Sequence, residues 1–150
     1  MKTINEMEIK FKALSINESF ARACVAAFCV HANPSMDEIT DIKTAVSEAV
    51  TNAVVHAYPF NDGEICIKVK LYTQSVIIEV IDNGIGIDNF SKAREPFYTT
   101  KPNEERSGMG FTVMESFMNS VELQKNGKSG LIVRMEKVFK ENVDSNIASV

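Results

Sequence analysis

Glu48, Asn52 and His56 stand four residues apart, the spacing that stacks side chains one turn above another on one side of a helix. A carboxylate and a carboxamide placed together can hold a hydrated Mg²⁺ through oxygen, while the carboxylate orients or deprotonates a nucleophile. An ordinary solvated helix face has the same spacing, and His56 also fits a helix C-terminal cap. A second group, Asp82-Asn83-Gly84-Ile85-Gly86, directly follows an apolar run. Glycines two apart permit positive φ and close backbone approach to a ligand. An aspartate at a strand end can accept a hydrogen bond from an exocyclic amine such as that of adenine. In the third group, Arg106-Ser107-Gly108-Met109-Gly110-Phe111 leads into a helical pattern, and helix N-termini favour phosphate through their free N–H groups and dipole. Thr99, Thr100 and Lys101 lie just upstream and add hydroxyl donors and a cation. A glycine-flanked stretch of this kind suits a lid over phosphates. Each group taken singly also fits a structural turn or cap.

Other chemistries are disfavoured. There is no GxxxxGK followed by Ser or Thr, and no GxGxxG opening a helix within a βαβ unit, so the P-loop and dinucleotide-binding solutions do not apply. Two lone histidines make no metal cluster, and Cys24, Cys29 and Cys66 lack CxxC spacing and read as buried free thiols. The net charge of −4 does not suggest a nucleic-acid-binding face. No segment approaches the ~18 apolar residues of a membrane span, and no apolar signal core opens the chain, so a cytoplasmic protein is expected.

The elements that must position these groups follow from periodicity. In 150 residues, 45% hydrophobic and 24% charged, one compact domain is expected over residues 1–140, with 141–150 a frayed polar tail. Alternation predicts a strand over Met7 to Leu14. Ser15 and Glu18 have capping-box spacing for a helix that would bury Phe20, Ala23, Cys24, Ala27 and Phe28. A second box, Ser35 with Glu38, opens a long helix to about Ala57, whose apolar stripe is Ile39, Ile42, Val46, Ala49, Val50, Ala53 and Val54. Asn61-Asp62-Gly63 reads as a hairpin signal. Strands are predicted over Glu64 to Tyr72, Val76 to Ile81, Ser120 to Lys125 and Leu131 to Phe139, with a short helix over Phe111 to Met118. Residues 82–110 are too long for an idle connection, with a further short helix expected around Asp88 to Arg94. The order is that of an α+β fold: a two-layer sandwich of a mixed, mostly antiparallel sheet with helices on one face.

Taken in order, Glu48 with Asn52, Asp82-x-Gly84-x-Gly86 and Gly108-x-Gly110 resemble the three nucleotide-binding boxes of the Bergerat-type (GHKL) ATPases and kinases. Asn17-Glu18-Ser19-Phe20-Ala21-Arg22, Val46 to Ala53, Phe97 to Pro102 and Glu105 to Phe111 are similar to the anti-sigma F factor family of sporulation, with the likeness running from about Met7 to Phe139. That resemblance implies a homodimeric protein-serine kinase with no direct nucleic-acid or membrane partner. It would bind sporulation sigma factor F and use ATP to phosphorylate and inactivate the anti-anti-sigma factor SpoIIAA. Glu48 would then be the general base and Asn52 the Mg²⁺ ligand. Asp82 would read the adenine amine, and Gly84 and Gly86 would shape the base pocket. Thr99, Thr100, Lys101, Arg106, Ser107, Gly108, Met109 and Gly110 would hold ATP or ADP phosphates, while Glu18 and Arg22 would meet the protein partners. The chain departs from the family pattern at Asn83, where Glu is frequent, and at Leu131 and Ile132, where threonines often stand near the adenine; Ser129 is the available substitute. Two alternatives remain: a general stress-response anti-sigma serine kinase, and a nucleotide-gated sigma-binding module without catalysis.

Overall fold

A computed structural model describes residues 2–57, 63–86, 110–127 and 129–140. Its elements in chain order are β1 (Asn5–Lys12), α1 (Asn17–Cys29), a 3₁₀ turn (Val30–Ala32), α2 (Met36–Asn52) with a π-helical turn (Ala53–Ala57), β2 (Glu64–Leu71), β3 (Ser75–Asp82), α3 (Gly110–Phe117), β4 (Ser120–Lys125) and β5 (Leu131–Val138). The five strands form one sheet ordered β1-β2-β3-β5-β4. All its ladders are antiparallel, so the expected mixed sheet has no parallel pair among the described residues.

Strict alternation decides the faces of the strands. Ile65, Ile67, Val69 and Leu71 of β2 are buried, as are Val76, Ile78, Val80 and Asp82 of β3 and Leu131, Val133 and Met135 of β5. They meet Ile42, Ala45, Val46, Ala49 and Val50 of α2, together with Phe111 and Met114 of α3, in one continuous core. Burying the Val, Leu, Ile, Phe and Met side chains among them contributes roughly 1.5–3 kcal/mol each. The opposite face of the sheet carries charge. Register aligns Glu8, Lys68, Glu79, Arg134 and Glu122 in a single row across all five strands, with sign alternating at every step. Cross-strand pairs of opposite charge stabilise a sheet by roughly 0.2–1 kcal/mol each, and Arg134 Nη1 lies 3.9 Å from Glu79 Oε2.

The Ser35 box forms as the spacing predicts. Glu38 N–H donates to Ser35 Oγ at 3.1 Å, and Ser35 N–H donates to Glu38 Oε1 at 2.8 Å. Glu38 Oε2 also accepts the N–H of Lys140, which ties the start of α2 to the chain leaving β5. Beside it, Lys137 Nζ donates to Asp41 Oδ2 at 2.9 Å and to the Phe117 carbonyl at 2.7 Å, so α2, α3 and β5 are pinned at one corner. Burial on its own would raise the Glu38 carboxyl. The hydrogen bonds from the Ser35 and Lys140 N–H groups and the Ser35 hydroxyl, with the Lys137 charge, outweigh it and hold the carboxyl below its usual range. A carboxylate whose folded pKa is depressed adds stability that is fully present above the unfolded value, about 4.3 for Glu, and lost as pH falls through the folded value. Glu38→Gln is therefore expected to cost about 1 kcal/mol at pH 7 in urea unfolding, and the gap from the unsubstituted protein should close as pH drops below that range.

Two expectations for α1 are corrected. The Ser15–Glu18 box does not form: Ile16 precedes the helix in α-helical backbone and no side chain caps it. Asn17 Nδ2 instead bonds the Lys12 carbonyl at 2.9 Å, and Glu18 turns toward Arg22, Oε1 to Nη1 at 2.5 Å. The buried face also differs. Ala21, Val25, Ala26 and Cys29 face the core, whereas Phe20 is 52% exposed. Because α1 is apolar on nearly all sides, periodicity cannot choose between its faces. The small side chains of Ala21, Val25 and Ala26 let α1 approach α2 closely, and that packing selects them. Cys24, Cys29 and Cys66 are free thiols as expected, but only Cys29 is buried while the other two are half-buried, and burial pushes the Cys29 thiol up to about 12.

Candidate nucleotide site

Asp82 ends β3 with its side chain on the core face, where it is 3% exposed. A buried carboxylate costs free energy unless hydrogen-bonded, and two backbone donors serve it here. Oδ1 accepts the N–H of Gly84 at 3.0 Å and the N–H of Leu131 at 3.2 Å. Burial raises the carboxyl above its ordinary value, an effect partly offset by those two bonds. Oδ1 thus holds the turn, while Oδ2 has no partner among the described residues.

The turn after Asp82 lies against the β4–β5 turn, backbone to backbone. Gly86 has φ +78° and Gly130 φ +99°, conformations that L side chains rarely adopt. Gly84 takes no positive φ among the described residues, so of the two glycines expected to need this freedom only Gly86 does. A Cβ on Gly130 would come within 2.2 Å of the Asp82 carbonyl oxygen, and one on Gly86 within 3.2 Å of the Gly130 carbonyl oxygen. Side chains bridge the same gap. Asn126 Nδ2 donates to the Asp82 carbonyl and to Asn83 Oδ1, both at 2.8 Å, and the Ser129 hydroxyl donates to the Gly84 carbonyl. Ser129 therefore braces the first glycine turn from the last strand's side. Leu131 contributes its backbone N–H to Asp82. Asn126 is not recognisable from sequence as part of this site, because an Asn-Gly pair between strands reads only as a turn signal.

Glu48 and Asn52 lie on α2, both half-buried at the margin of the apolar stripe rather than opposite it. The helix changes to a π-helical turn directly after Asn52. One-turn π segments are frequent at functional sites; the side chain of His56, expected to continue the row, lies outside the described residues. Helix α2 packs beside α3 and reaches β3 and β5, so the structure brings Glu48 and Asn52 onto the same face of the sheet as Asp82. Gly110 is the first residue of α3. Thr99, Thr100, Lys101, Arg106, Ser107, Gly108 and Met109, like the hairpin signal at 61–62 and the short helix expected at 88–94, lie outside the described residues. Glu18 and Arg22 form an ion pair with each other on α1, away from the glycine turns in sequence and element.

An antiparallel sheet with its helices on one face, a buried aspartate ending a strand and a positive-φ glycine four residues on define a histidine kinase-like ATPase domain, and the family of that description matches residues 11–137. Among solved structures, the RsbU and RsbW domains of a Mycobacterium tuberculosis protein superpose with a TM-score of 0.64 at 19% identity, covering 90% of this chain and 32% of that one. The catalytic domain of histidine kinase ThkA superposes with a TM-score of 0.57 at 16% identity, covering 91% and 99%. Sequence relatives are nearer. An anti-sigma F factor of Bacillus velezensis is 52% identical over 134 residues, 89% of this chain and 92% of that protein. Those of Clostridium kluyveri and Bacillus subtilis are each 50% identical, covering 90% and 95%, and 89% and 92%, respectively. The chain belongs to the anti-sigma F factor family.

Proposed function

We propose that this protein inhibits sporulation sigma factor F by binding it, and that as a serine kinase it uses ATP to phosphorylate and inactivate the anti-anti-sigma factor SpoIIAA. The observation that carries the nucleotide half is Asp82, a buried carboxylate with Oδ1 held by two backbone N–H groups and Oδ2 unengaged among the described residues. An exocyclic amine supplies the missing donor, and Ile85, 68% exposed on the same turn, offers apolar cover to a base. No described helix is long and apolar enough to cross a membrane, and the proposed setting is the cytoplasm.

The residues divide the work. Asp82 fixes the adenine, with Gly84 and Gly86 allowing the backbone to lie close to it. Lys101 and Arg106 neutralise charge on the phosphates. Thr99, Thr100 and the segment Ser107, Gly108, Met109 and Gly110 donate hydrogen bonds to them, leading into the N-terminus of α3. The oxygen chemistry of Asn52 suits Mg²⁺, which prefers one or two protein oxygens with the rest from phosphate and water; when bound, the ion neutralises charge developing on the transferred group. Glu48 accepts the proton of the partner's serine hydroxyl, a weak nucleophile without such a base. Glu18 and Arg22 meet the protein partners on α1, and the working unit is a homodimer. Residues 1–140 form the kinase domain and 141–150 a tail.

Incubation with Mg-ATP and SpoIIAA, followed by phosphoserine detection on SpoIIAA, tests the kinase; nucleotide binding without any transfer would leave only a nucleotide-gated sigma-binding module. Asp82→Asn keeps an acceptor for Gly84 and Leu131 but turns an NH₂ toward the adenine amine. ADP affinity by calorimetry is expected to fall between about 10- and 100-fold, the range of one charge-assisted hydrogen bond, with the fold retained.

A further inference from the structure

Asn126 stands 44 residues from Asp82 in sequence, yet its amide makes two bonds to the turn that follows β3. Both hydrogens of Nδ2 are used, one on the Asp82 carbonyl and one on Asn83 Oδ1, which is the full donor capacity of the group. The first bond fixes the plane of the peptide between Asp82 and Asn83, and the second fixes the Asn83 side chain. One residue further on, the N–H of Gly84 points back to Asp82 Oδ1. The direction in which Oδ2 faces therefore depends on a peptide that Asn126 holds. Ser129 repeats the arrangement on the Gly84 carbonyl. Between them the closed turn Asn126–Gly130, itself joined by the Asn126 N–H to the Gly130 carbonyl at 3.4 Å, grips the first glycine turn.

We propose that Asn126 is a positioning residue of the nucleotide site, setting the orientation of Asp82 toward the base without touching the nucleotide. The proposal rests on the reading of residues 82–86 as the base pocket. Its consequence is confined to the base end of the ligand. Loss of Asn126 weakens ADP and ATP by the same factor, because the phosphates are held elsewhere, and it leaves the rate of transfer at saturating ATP unchanged. A residue that merely stabilised the fold would lower the melting temperature without this pattern.

The test uses the full chain with Asn126→Ala, and Asn126→Gln as the conservative variant. Two neutral hydrogen bonds correspond to a loss of about tenfold in affinity. Calorimetry with ADP and with a non-hydrolysable ATP analogue should show that loss equally for both. KM for ATP should rise in proportion while kcat stays constant, and Asn126→Gln should recover part of the affinity. Binding within about twofold of the unsubstituted protein, or a loss appearing in kcat rather than KM, overturns the proposal. Should Asn126→Ala fail to fold, Ser129→Ala removes the neighbouring bond and carries the same expectation and the same refutation. If the unsubstituted protein itself binds neither nucleotide, the base-pocket reading fails and this inference with it; normal binding there with an indifferent Asn126→Ala defeats the inference alone.

Discussion

Glu48→Gln is expected to lower phosphate transfer to the partner serine by about 100- to 10,000-fold, the range in which a positioned general base acts, while ADP binding stays nearly unchanged. The substitution keeps side-chain length and polarity on α2 while removing the charge and the ability to take a proton. If Glu48 served instead to orient the nucleotide, affinity would fall with rate, and the two effects separate when KM and kcat are measured independently. The same variant addresses inhibition of sigma factor F. Inhibition that survives in the presence of nucleotide separates holding a partner from modifying one; rates and inhibition both unchanged would remove Glu48 from the mechanism.

Gly130→Ala carries the largest expected effect on stability. At φ +99° an alanine is strained in its own backbone, at a cost on the order of 1–3 kcal/mol. Its Cβ would also lie 2.2 Å from the Asp82 carbonyl oxygen and 2.9 Å from the Asn83 Cα, both backbone atoms that no rotamer change can move aside. The turns must then separate, which breaks the Asn126 and Ser129 bonds and displaces the Leu131 N–H from Asp82. A total of about 2–4 kcal/mol is expected, which in a domain of this size lowers the melting temperature by roughly 5–15 °C. Nucleotide affinity should fall further than stability alone explains. Gly127→Ala is the internal control: its φ is also positive, at +66°, but nothing lies within 4 Å of the added Cβ, so only the backbone strain applies.

The strands and α2 were legible in the sequence for a physical reason. Their apolar residues repeat with an unambiguous period, and Ser35 with Glu38 states where α2 begins. Each predicted strand lies within two residues of an observed one. Helix α1 was legible as a helix but not as a face, since apolar side chains surround it and only the surface of α2 decides which are buried. Asp82 and Gly86 were recognisable because strand end, carboxylate and glycine are adjacent in the chain. Asn126, Ser129 and Gly130 were not recognisable as one unit with them. The hydrogen bonds that join the two turns, that of Leu131 included, span 43 to 49 residues, and no local pattern encodes a contact between two turns.

The row of alternating charges across the open side of the sheet has a consequence for how this sequence can drift. Glu79 and Arg134 each sit between two neighbours of opposite sign, as does Lys68. Reversing any of these three sets like charges side by side in two places at once, whereas reversing Glu8 or Glu122 at the rims does so in only one. Changes at the three central strands should accordingly be inherited in compensating sets, with the rim positions free to vary first, so that the ladder records descent as a coupled unit rather than as five independent sites.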